Sequence, residues 1–164
     1  MRQILLFILI TFSSLGFSQS NLSKLLKEYN QESIPYISVQ ELATSKTNAV
    51  LLDAREAEEF AVSHIKNAVF VGYDNFNIKM VTNTIINKDQ EIIVYCSLGI
   101  RSEDIAEQLK KDGYMNVKNL YGGIFEWKNN NFKVYNSRQK TTDSVHVFSK
   151  KWSKWLKNGK PVFD

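Results

Sequence analysis

The apolar run Ile92-Ile93-Val94-Tyr95 passes directly into Cys96-Ser97-Leu98-Gly99-Ile100-Arg101-Ser102, and an unbroken helical pattern follows to Lys111. Glu91 to Tyr95 reads as the central strand, and the continuous apolar run Ala49-Val50-Leu51-Leu52 before Asp53 marks a strand buried on both faces, hence a sheet that is covered on both sides. A strand that turns through a short glycine-containing loop into a helix is the unit from which parallel α/β sheets are wound. The chain repeats this alternation. Residues 49–53, 68–71 and 117–120 read as strands, and residues 56–62, 76–86 and 123–129 as helices, with Ile78, Val81, Ile85 and Ile86 patterned along 76–86. Ser38 and Glu41 stand at capping-box spacing, so a short strand at 36–39 should lead into a short helix through Ala43. Gly113 should stop the long helix. The expected fold class is α/β, with a central, mostly parallel sheet of about five strands and helices on both faces.

Cys96 is the only cysteine in the chain. Ligands of parallel α/β sheets gather at the carboxyl ends of strands, which is where this sulfur falls. Backbone N–H groups of a tight loop and of a helix N-terminus favour negative charge, so they favour a nucleophilic thiolate. Arg101 adds a planar, permanently charged fork suited to sulfonate, sulfate or phosphate oxygens. A buried structural cysteine is the alternative. The Gly99 and Arg101 positions and the helix that follows favour the functional reading. The catalytic candidate is Cys96, with Ser97, Leu98, Gly99, Ile100, Arg101 and Ser102 as the substrate-binding loop. Asp53 and Arg55 are expected at the carboxyl end of a neighbouring strand, where a structural pair holding the loop floor is favoured over direct catalysis.

This loop resembles the six-residue loop of single-domain rhodaneses, sulfurtransferases whose nucleophile stands first. Leu51-Leu52-Asp53-Ala54-Arg55 is similar to the family's Asp-x-Arg segment, which implies Asp53 and Arg55 as supporting residues that help frame the pocket, and Ser63-His64-Ile65-Lys66-Asn67-Ala68 is similar to its Gly-His-Ile-Pro-Gly-Ala turn. Leu120-Tyr121-Gly122-Gly123-Ile124-Phe125-Glu126-Trp127 resembles its double-glycine and tryptophan signature. The resemblance spans residues 37–132 and implies a rhodanese-like fold. It also implies transfer of sulfane sulfur from thiosulfate or a persulfide to a thiol, cyanide or protein thiol through a Cys96 persulfide, without a cofactor. Three positions depart from the pattern: Ser63 and Asn67 replace glycines and Lys66 replaces a proline. Asparagine tolerates positive φ, so the turn should survive at Asn67. Leu98 and Ile100 are apolar where strongly thiosulfate-active relatives often carry positive charge.

Two other functions compete. A cysteine-dependent phosphatase or arsenate reductase of related fold needs one more residue than the four that separate Cys96 from Arg101, and Ser102 gives no second arginine. A non-catalytic rhodanese-like binding module is opposed by the intact Cys96. His64 as a base for Cys96 is weighed against a place in the turn, and the turn is favoured. Two histidines and one cysteine, widely spaced, do not make a metal site. Trp127 reads as core.

Met1-Arg2-Gln3, the apolar run to Phe12 and the small residues through Ser18 have the form of a secretory signal peptide. Residues 1–18 are therefore read as that peptide, 19–34 as a lead-in with a helix carrying Leu22, Leu25 and Leu26, and 35–133 as the rhodanese-like domain. Residues 134–164 form a basic, tryptophan-containing extension. Export to the periplasm or medium is expected, with no stable membrane span after cleavage. The net charge of +4 becomes +3 without Arg2, too mild an excess to argue for nucleic acid. In the extension, Trp152, Trp155 and Leu156 share a helical face among Lys150, Lys151, Lys154, Lys157 and Lys160. A helix docking its tryptophans on the domain is favoured over one that lies on a membrane or a partner.

Overall fold

The computed structural model describes residues 21–45 and 47–163, so the expected signal peptide lies outside the described residues. Two units divide the chain, 1–32 and 33–164. In the first, residues 21–29 form helix α1.

The second unit runs β1 (Tyr36–Ile37), α2 (Val39–Thr44), β2 (Val50–Asp53), α3 (Ala57–Val62), β3 (Val69–Phe70), α4 (Ile78–Thr82), β4 (Ile92–Tyr95), α5 (Arg101–Lys111), β5 (Val117–Leu120) and α6 (Gly123–Asn129). The five strands form one parallel sheet in the order β1-β5-β4-β2-β3. β4 is central because all four of its residues are apolar and can be buried between two layers. Ile92 and Val94 enter a cluster with Leu52, Ile105, Ala106, Leu109, Tyr114 and Val117. Ile93 and Tyr95 are as fully buried and, by strand alternation, face the other layer. Each such side chain contributes about 1.5–3 kcal/mol by leaving water.

Local signals explain the helix starts. Ser38 Oγ accepts from Glu41 N–H, and Glu56 and Glu59 form a reciprocal capping box before α3. Asn67 takes φ +62, so the Ser63–Ala68 turn keeps its left-handed residue without glycine. Helix 76–86 is shorter than its apolar spacing suggests. Asn77 caps α4 late, and Thr82, Asn83 and Thr84 are poor helix formers, so Ile85 is buried from a turn while Ile86 stays 83 % exposed. Trp127 is only half-buried. It packs on Phe132 and donates to Lys133 O, whereas its neighbour Lys128 is buried and paired with Asp143 at 2.7 Å.

The extension departs from a single amphipathic helix. It folds as β6 (Val134–Tyr135) paired antiparallel with β7 (Thr141–Thr142), then β8 (Ser144–His146) paired parallel with β9 (Lys160–Val162). Between β8 and β9 lies a one-turn helix, α7 (Lys150–Ser153). Asn129 at the end of α6 ends the helical course. Its Oδ1 accepts from Lys157 and Asn158 N–H and its Nδ2 donates to Trp155 O. Among the described residues no helix is long and apolar enough to cross a membrane.

Candidate active site

Cys96 leaves the carboxyl end of β4, and the chain wraps around its sulfur before α5 begins. Gly99 N–H donates to Sγ at 3.1 Å, and Ser102 Oγ lies 3.6 Å from it. Gly99 has φ +99, and its carbonyl accepts from Asn119 Nδ2 at 2.8 Å, while Ser102 Oγ donates to Asn119 Oδ1 at 2.8 Å. One buried amide on β5 thus holds both the turn and the first turn of α5. The loop is also gripped from outside. Ile124 N–H donates to Cys96 O and Phe125 N–H to Ser97 O, so the start of α6 satisfies the loop carbonyls. This approach requires glycine: a Cβ on Gly123, at φ +55, would stand 2.3 Å from Cys96 O.

Arg101 begins α5, and both terminal nitrogens of its fork are turned onto Glu59. Nη1 donates to Oε2 at 2.8 Å and Nη2 to Oε1 at 2.9 Å. Ser97 Oγ donates to Oε1, and Glu56 N–H to Oε2. Glu59 is 1 % exposed. Burial opposes its charge, but the Arg101 hydrogen bonds and charge, with Arg55 and Glu56 N–H adding to them, hold the carboxyl below its ordinary range. Burial also opposes the Arg101 charge, and the bonds to Glu59 raise its basicity. The fork expected to hold an anion therefore has a partner within the protein.

A pocket of about 200 Å³ opens at the sulfur, lined by Cys96, Ser97, Leu98, Ile100, Arg101, Phe148 and Trp152. The structure brings together most of the loop predicted to bind substrate. Gly99 and Ser102 serve it from beneath, through the hydrogen bonds to Sγ and Asn119. Asp53 and Arg55, both fully buried, do not line the pocket. Arg55 Nε and Nη2 bind the two Asp53 oxygens at 2.9 and 2.6 Å, and Nη2 also donates to Ser63 O. They tie the end of β2 to the turn that follows α3. Burial pushes the Arg55 charge down and Asp53 more than restores it. His64 stacks on Phe60; Nδ1 lies 3.1 Å from Phe60 O in α3 and Nε2 3.3 Å from Gln139 Nε2 in the connection between β6 and β7, so both ring nitrogens are engaged away from the sulfur. Among the described residues no group of metal-ligating side chains converges.

Four residues of this site escaped the sequence reading. Asn119 stands beside Lys118 in Val117-Lys118-Asn119-Leu120, so its polarity does not set it apart, and only its complete burial does. Glu59 is one of three acidic residues in a helix start and looks solvated. Phe148 and Trp152 lie fifty residues from the loop, and no local pattern links them to it.

A family model described as "Rhodanese-like domain" matches residues 38–130. The chain is 34% identical over 99 residues to a tRNA uridine(34) hydroxylase of Onion yellows phytoplasma, covering 56% of this chain and 32% of that protein. It is likewise 34% identical over 83 residues to a tRNA uridine(34) hydroxylase of Escherichia coli, covering 49% of this chain and 24% of the relative. The chain thus spans about a quarter to a third of the length of the curated relatives it matches. Among solved structures it is similar to a thiosulfate sulfurtransferase from Pseudomonas aeruginosa, with TM-score 0.60, 19% identity, 85% of this chain and 26% of that chain. A rhodanese-related protein from Thermoplasma volcanium aligns with TM-score 0.52 and 25% identity over 61% of this chain and 96% of that one.

Proposed function

We propose, from the premise that this chain belongs to the rhodanese-like domain family, that it is a sulfurtransferase working through a persulfide on Cys96. One observation carries the reading. A solitary sulfur at the carboxyl end of the central strand accepts from the Gly99 amide and opens onto a small pocket at the start of α5. The Cys96 thiolate attacks the outer sulfur of thiosulfate or a persulfide. The donor's sulfur–sulfur bond breaks, its leaving group departs with the bonding pair, and the terminal persulfide sulfur occupies the pocket beside the loop N–H groups. A thiol, cyanide or protein thiol then removes that sulfur and restores the thiolate. The chain has no second cysteine, so the acceptor must come from outside it. This is double-displacement catalysis with ping-pong kinetics.

The signal-like start supports action outside the cytoplasm, in the periplasm or medium, on small molecules or protein thiols. Hydroxylation of tRNA uridine is the named activity of relatives at least three times as long as the shared region. The four-residue spacing from Cys96 to Arg101 supports sulfur transfer over phosphate or arsenate chemistry. Mass spectrometry after thiosulfate or polysulfide treatment tests the reading. One added sulfur on Cys96, removed by cyanide, is expected; an unmodified Cys96 with every donor would refute it.

A further inference from the structure

One wall of the pocket comes from chain beyond the matched residues 38–130, and its chemistry restricts what can enter. Phe148 and Trp152 face the catalytic loop from the segment between β8 and β9. Phe148 sits over the Arg101 guanidinium, 5.5 Å from carbon to ring centroid. It does so at φ +59, in a three-residue turn where Ser149 N–H reaches back to Val147 O at 2.5 Å. A bulky residue held in the left-handed region is strained, and such strain persists only where the surroundings impose it. Both sides of the segment are anchored. Val145 and Val147 are fully buried, Phe148 N–H donates to His146 Nδ1, and Asn129 holds the chain at Trp155, Lys157 and Asn158.

We propose that Phe148 and Trp152 are specificity-determining residues, and that they select a sulfane-sulfur donor whose leaving group carries an apolar, aromatic substituent. The proposal rests on the sulfurtransferase reading and names the substrate class of that same site. Charge supports it first. Arg101 is the only charged side chain among the described lining residues, and Glu59 neutralises it. A small dianion such as thiosulfate would shed its water with little but loop N–H groups in exchange. Shape supports it second. Leu98, Ile100, Phe148 and Trp152 offer apolar faces around the sulfur, and an aromatic ring gains by packing against such faces. The pocket is smaller than the ~300–1,000 Å³ of drug-sized sites, so one ring and its thiosulfonate group suit it.

The reacting donor would have the form R–SO2–S⁻, with R an aryl group. Cys96 thiolate attacks the outer sulfur, the Cys96 Sγ–S bond forms, and the donor S–S bond breaks. The sulfinate R–SO2⁻ leaves with the electron pair, so no outside oxidant or reductant is needed and no proton moves.

The test compares benzenethiosulfonate with thiosulfate, using cyanide as acceptor, in the wild type, Trp152→Ala and Phe148→Gly. Glycine at 148 removes the ring and relieves the backbone strain, so that variant should fold even if Trp152→Ala does not. The wild type should favour the aryl donor in kcat/KM, and that preference should fall roughly tenfold in each folded variant, as expected when a hydrophobic subsite is emptied. An unchanged donor ratio in a variant whose Cys96 still gains sulfur overturns this inference alone. Failure of every donor to load Cys96 in the wild type overturns the sulfurtransferase reading and this inference with it.

Discussion

Replacing Glu59 by glutamine should destabilise the protein by about 2–3 kcal/mol at neutral pH. The buried carboxylate accepts four hydrogen bonds: two from Arg101, one from Ser97 Oγ and one from Glu56 N–H. Glutamine offers one acceptor oxygen and turns an NH2 group towards donors. Breaking a buried ion pair costs about 3–5 kcal/mol when the remaining charge is stranded. The Arg101 side chain is 19 % exposed, so water recovers part of that cost and the lower figure applies. The effect has a pH signature. The folded state holds the Glu59 carboxyl below its ordinary value, so its contribution is complete above the unfolded carboxyl value of about 4.3 and is lost as pH falls through the lower folded value. Urea unfolding of wild type and Glu59→Gln should therefore show a gap at pH 7 that closes on acidification. A second readout lies in the pocket, where an Arg101 released from its partner should raise turnover of thiosulfate relative to the aryl donor. A gap below about 0.5 kcal/mol at pH 7, or one that persists unchanged into acid, would refute the assignment of Glu59 as the charge partner that sets the loop.

Four further outcomes follow. Cys96→Ser should abolish sulfur transfer and the mass gain while changing stability by only about 1 kcal/mol, read by assay and thermal melt. Gly123→Ala should cost about 3 kcal/mol and disorder the loop, because its Cβ would meet Cys96 O at 2.3 Å, whereas Gly113→Ala, with open space around it, should cost about 1 kcal/mol; equal costs on chemical denaturation would contradict the close approach. The hydrogen bond to Asp104, aided by burial, pushes the Tyr73 phenol up to about 12. The bond's stabilisation is therefore complete below pH 10 and lost between pH 10 and 12, and Tyr73→Phe should remove that alkaline step from the pH–stability curve. The proposed export requires a mature chain starting near Gln19, so N-terminal sequencing that recovers Met1 or Arg2 from the native protein would exclude cleavage.

Much of the fold was legible because local rules and global burial agree. A short, β-branched apolar run bounded by loop residues fits a strand inside a covered sheet, and the alternation of strand and helix signals then favours parallel crossovers. The Cys96 loop was legible for the same reason, since strand, glycine, arginine and helix occur within one short segment. The family resemblance located the Asn67 turn and the double glycine, and both hold left-handed backbone that few residues can adopt.

What surrounds the sulfur was decided only by tertiary structure. Arg101 reads from sequence as a free anion receptor, because a charged fork carries no local sign of its partner. Only the packing of α3 against the loop brings Glu59 within 2.8 Å and cancels that charge. The extension is the second case. Its tryptophans and lysines have helical spacing, but Asn129 captures the backbone at residues 155–158 and cuts the helix to one turn. That turn, approached through strained backbone at Phe148, puts Trp152 at the pocket. Contacts across fifty residues depend on how whole elements stack, and composition and periodicity, which act over a few turns of chain, hold no record of them.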